Sequence, residues 1–116
     1  MESPTGTFIV SHINTQLSYQ YQVSEVNTEG RVLRHFSRPL GGTLHIAVDS
    51  QGNIFVADGD NRRILLLDAR LALRRVIIDE HQLNYEWPQH LCYNEQSAQL
   101  MVGFDYSVAV FDVRQR

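Results

Sequence analysis

The chain has 116 residues, of which 43% are hydrophobic, and carries ten basic against thirteen acidic side chains for a net charge of -3. A single domain of this size buries roughly two-thirds of its unfolded surface, and the charge lacks the basic excess of a general nucleic-acid binder. No apolar run approaches the ~20 residues of a membrane span, so no membrane partner is expected.

Short runs rich in β-branched and aliphatic residues, bounded by turn residues, predict strands at 8–12, 20–26 and 31–36. Asn27-Thr28-Glu29-Gly30 marks a turn between the last two. Further strands are predicted at 45–49, 54–58, 63–68 and 73–78. Asp49-Ser50-Gln51-Gly52-Asn53 is a hairpin signal, because Gly and Asn accept the positive φ of tight turns. Asp68-Ala69-Arg70 reads as another turn, and residues 79–86 as a single turn. The last predicted strands are 89–94, 99–104 and 107–113. The apolar runs are nearly continuous, which suits strands covered on both faces. No stretch sustains a helical period, so the fold is expected to be all-β.

These strands repeat. His45 finds its echo in His90, Ile54 in Leu100 and Asp68 in Asp112, at spacings near ~45 residues. Phe8-Ile9-Val10-Ser11-His12 is a fainter copy of Ile54-Phe55-Val56-Ala57-Asp58. A period of ~45 residues with four strands per copy is the mark of a β-propeller blade. The stretch Ile46-Ala47-Val48-Asp49, then Gly52-Asn53-Ile54-Phe55-Val56-Ala57-Asp58, then Asn61-Arg62-Arg63-Ile64, resembles the NHL repeat. The copy at 90–112 departs from it: Asn94 stands for the Asp, and Phe104-Asp105-Tyr106-Ser107 replaces the Asp-x-x-Asn-x-Arg portion.

The resemblance implies a partial NHL-type propeller of four-stranded antiparallel blades: a remnant at 8–36, a full blade at 45–78 and an incomplete blade at 89–113. That is about two and a half blades, whereas a closed ring takes ~4–8. The chain is therefore expected to be part of a larger propeller or to associate through its open blade edges. NHL propellers of tripartite-motif-like proteins recognise partners while other modules do chemistry. A zinc pattern of Cys and His, as those modules carry, is absent from this sequence.

Asp58, Asn61 and Arg63 are expected to build the loop between a blade's second and third strands. Tyr85, Trp87 and Tyr106, with Phe104 nearby, fall in loops that open on one propeller face, and exposed aromatics anchor interfaces. These residues, with the repeat-equivalent His45 and His90 at the start of the innermost strands, are the candidate protein-binding site. The alternative is RNA binding through Arg62 and Arg63, because Arg grips phosphate and stacks on bases. A third reading, a metal-dependent propeller hydrolase or lyase, would draw on Asp49 and Asn94, which sit where turn chemistry is the default. No nucleophile motif, phosphate loop or His-Glu-x-x-His occurs, so neither catalysis nor a cofactor or metal is expected. Cys92 takes the place of Ala47 and is expected to be a small buried residue. All basic residues are Arg, and the start, Met1 to Gly6, lacks the regions of a signal peptide, so a cytoplasmic setting is expected.

Overall fold

A computed structural model describes residues 6–14, 20–36, 40–41 and 44–114. Three antiparallel sheets follow one another along the chain. The first holds β1 (Phe8–Asn14), β2 (Gln20–Val26) and β3 (Val32–His35). The middle sheet holds β4 (Leu44–Val48), β5 (Ile54–Asp58), β6 (Arg63–Leu67) and β7 (Leu73–Ile78). The third holds β8 (His90–Asn94), β9 (Gln99–Gly103) and β10 (Val108–Asp112). Within each sheet, consecutive strands pair as a meander, and the sheets do not close on one another. The one helical element among the described residues is a 3-10 turn at Gly59–Asn61. The all-β expectation therefore holds.

The turns share one device. Asn27, Asp49 and Asp68 each accept backbone N–H bonds on Oδ1 from the residues two and four positions on. Asn94 does the same for Gln96 and Ser97. Such side chains replace the ladder bonds that a reversing backbone gives up. Each turn then passes through a left-handed residue: Gly30, Gly52, Leu71 and Ala98, at φ of 81°, 84°, 63° and 53°. Glycine meets this conformation freely, whereas Leu71 and Ala98 hold it at a cost of roughly 1–2 kcal/mol each.

The middle sheet is covered on both faces. Its Ala47, Phe55, Ala57, Ile64 and Leu66 pack with Leu91, Leu100 and Val102 of the third sheet. Its opposite side, Ile46, Ile54, Val56, Leu65 and Leu67, packs with Ile9, Val23 and Phe36 from the first sheet's side. Every residue of β5 is buried as a result. Each fully buried aliphatic side chain contributes roughly 1.5–3 kcal/mol, so these two layers hold the three sheets together.

Among the described residues the third sheet is covered on one face only, and Cys92 therefore departs from the burial expected of it. Leu91 and Val102 face inward, but Cys92 pairs with Met101, and Met101 with Val110, on the opposite side. Cys92 is exposed, not buried. Ala47 at the equivalent position is buried because a further sheet covers it, and among the described residues nothing covers Cys92.

Two bonds tie the middle sheet to the third. At one end of β8, the Leu91 N–H donates to His45 Nδ1 at 3.0 Å. At the other, the Ser50 N–H donates to Glu95 Oε1 at 2.6 Å, and hydrogen bonds from the Ser50 side chain and then from its backbone hold the Glu95 carboxyl below its usual range.

Candidate functional site

At the far end of β5 the chain must reverse into β6, and Asp58 organises that corner. Its side chain is fully buried. Oδ1 accepts the Gly41 N–H at 2.8 Å, and Oδ2 accepts Arg63 Nε at 2.8 Å and Asn61 Nδ2 at 3.0 Å. A buried carboxylate is tolerable only when charge and lone pairs are matched in this way. Gly41 comes so close that a Cβ there would lie 3.1 Å from Asp60 Cβ and 3.2 Å from Asn61 Nδ2. Leu40 beside it bridges to Tyr21 of β2. Asp58 thus fastens the segment arriving from the first sheet to the middle sheet, and Asn61 and Arg63 serve the same corner.

The corner also sets Arg62, which ends the 3-10 turn in the left-handed conformation at φ 51°. Its guanidinium carbon lies 5.5 Å from the centre of the Trp87 ring, within cation–π range. Trp87 belongs to the segment entering the third sheet, so this contact joins the two sheets on the loop side. The pair proposed for RNA is therefore engaged: Arg63 with Asp58, and Arg62 with Trp87.

Trp87 remains 54% exposed, Tyr85 51% and Tyr106 100%. Together with Glu86, Phe104 and Asp105 they line a groove of about 190 Å³. Tyr85 and Trp87 stand in one loop and Phe104 and Tyr106 in another, both expected to open on one face, and the structure brings them to one concavity. The segment before β8 is shaped by a turn in which Leu83 N–H donates to the Asp79 carbonyl and Tyr85 N–H to that of Glu80. Asn84 and Tyr85 both adopt left-handed φ, 56° and 58°, which swings Tyr85 outward. His81 steadies it through a 2.5 Å contact between Nδ1 and the Tyr85 hydroxyl.

Glu86 and Asp105 are members of the groove that sequence reasoning passed over. Gln89 Nε2 donates to Asp105 Oδ1 at 2.5 Å, and Ser107 Oγ donates to Glu86 Oε2 at 3.5 Å. Among the described residues neither carboxylate has an ion-pair partner. The signal lay in plain view: each acid is a chain neighbour of two groove aromatics.

His45 and His90 meet edge-to-face with ring centres 5.2 Å apart. Because His45 Nδ1 accepts the Leu91 N–H, its proton sits on Nε2 in the neutral ring. Burial, and secondarily the neighbouring His90, lower the His45 pKa. The pair lies at the inter-sheet seam and does not line the aromatic groove. Among the described residues no group of three or more His, Cys, Asp or Glu converges as metal ligands would. Asp49 and Asn94 are committed to their turns. No helix among the described residues is long and apolar enough to cross a membrane. Comparison with known proteins finds no matching family model and no matching curated protein.

Proposed function

We propose that the chain is a partial NHL-type β-propeller whose loop face binds a protein partner and carries out no chemistry of its own. The grouping of Tyr85, Trp87, Phe104 and Tyr106 around one groove supports this most directly. Large aromatic side chains presented to solvent by loops between packed strands are common anchors of protein interfaces. A cytoplasmic setting fits the single free thiol, since small secreted domains lean on disulfides.

Support for the propeller comes from the stacking of the sheets. β4 lies against β8, and β1 against β4. Positions one repeat apart take the same face: Leu91, Val102 and Phe111 meet the middle sheet as Ile46, Val56 and Leu67 meet the first. Continued, this pattern makes the open face of the third sheet, with Cys92, Met101 and Val110, a seat for another sheet. Association of copies is then a second route to burying it, and light scattering across a concentration series tests for it.

RNA binding through Arg62 and Arg63 has less support, because both side chains already have partners in the molecule. Peptides selected from a random display library against the immobilised protein separate the readings. Selected peptides are expected to lose binding to a Trp87→Ala, Tyr106→Ala variant and to depend on salt far less steeply than release of several phosphate counterions requires. Binding untouched by these substitutions overturns the protein-binding assignment. RNA affinity that falls steeply with salt, as counterion release requires, favours the alternative.

A further inference from the structure

Resting on the reading that the aromatic groove binds a protein partner, we propose that it receives a cationic side chain of that partner, an ammonium or guanidinium group. The lining carries four aromatic rings and two carboxylates, and no basic residue. Ring faces present the negative part of their quadrupole, and they hold a cation more firmly than a neutral group of the same size. Trp87 already hosts one cation, the Arg62 guanidinium, from outside the groove. Glu86 and Asp105 add charge complementarity, and neither is neutralised by an ion pair among the described residues.

Size points the same way. At about 190 Å³ the groove is smaller than the ~300–1,000 Å³ of sites for drug-sized molecules, and it suits one side chain. Four of its six lining residues are also held before a ligand arrives. Gln89 holds Asp105, Ser107 holds Glu86, His81 holds Tyr85 and Arg62 holds Trp87. Pre-set groups lose little freedom on binding.

Trp87 is the only tryptophan, so its fluorescence reports on the groove without a label. The probes are three short Gly/Ser peptides that differ at one central residue: trimethyllysine, arginine or norleucine. Both cationic peptides are expected to bind roughly tenfold or more tightly than the norleucine peptide. A Glu86→Gln, Asp105→Asn variant is expected to lose most of that margin and to leave the norleucine peptide unaffected. Both acids are exposed, so the variant is expected to keep the wild-type circular dichroism spectrum.

Equal binding of the norleucine peptide, no response to any peptide, or cationic binding unchanged in the double variant overturns the cation assignment. If display-selected peptides still depend on Trp87 in that event, protein binding stands and only the ligand class falls. If they too ignore Trp87, both fall.

Discussion

Replacing Asp58 by Ala tests the corner from which the loop face is built. The substitution removes a fully buried carboxylate and with it three accepted hydrogen bonds, from Gly41, Asn61 and Arg63. The losses differ in kind. Asn61 is exposed and regains water, and the Arg63 side chain, 35% exposed, regains it in part. The half-buried Gly41 N–H loses its partner, and a cavity opens beside it. An unsatisfied buried group costs about 1–3 kcal/mol, and breaking a buried pair about 3–5. Partial exposure of Arg63 places the expected total near ~3 kcal/mol. Urea unfolding followed by circular dichroism reads this as a midpoint lowered by more than ~1 M, with an unchanged slope. Asp58→Asn retains an acceptor but presents an amide to a donor, and it falls between. In a double-mutant cycle, Arg63→Ala adds little once Asp58 is gone. A loss below ~0.5 kcal/mol for Asp58→Ala, typical of ordinary surface substitutions, would refute the corner as described.

His45 makes stability depend on pH. Its folded pKa lies below the unfolded value through burial and the neighbouring His90. The unfolded chain therefore binds the proton first, and stability is full above about pH 6.5 and declines as pH falls through the folded pKa. Thermal melts between neutral and mildly acidic pH are expected to show this decline, and His45→Gln to flatten it. An identical decline in the variant assigns it elsewhere. Cys92 is expected to react with a thiol reagent in dilute native protein, without denaturant. Modification that requires unfolding would return Cys92 to the buried class that its repeat position suggested.

Much of the fold was legible because strand runs and turns are local chemistry. The Asx-plus-Gly signal at Asp49 and Gly52 marked its hairpin in advance. The matching reversal after Asn94 was harder to see, since Ala98 holds the left-handed position that Gly52 takes in the middle sheet. Burial was legible only for the middle sheet. Whether Cys92 is covered depends on what stands beside the third sheet, and its strand pattern carries no record of that. The same holds for contacts between sheets. The bond from Leu91 to His45 spans 46 positions, and the Arg62 contact with Trp87 joins two turns. The aromatic site was half visible: loop placement brought Tyr85, Trp87 and Tyr106 forward, and their convergence with Glu86 and Asp105 emerges only from the stacking.

Binding at the aromatic groove is tested most directly with Tyr106. Its side chain is fully exposed, so Tyr106→Ala removes a groove wall without touching the core. Isothermal titration of a display-selected peptide into wild type and variant is expected to show the same melting temperature and at least ~10-fold weaker binding in the variant. An unchanged dissociation constant would contradict the placement of the binding site in this groove.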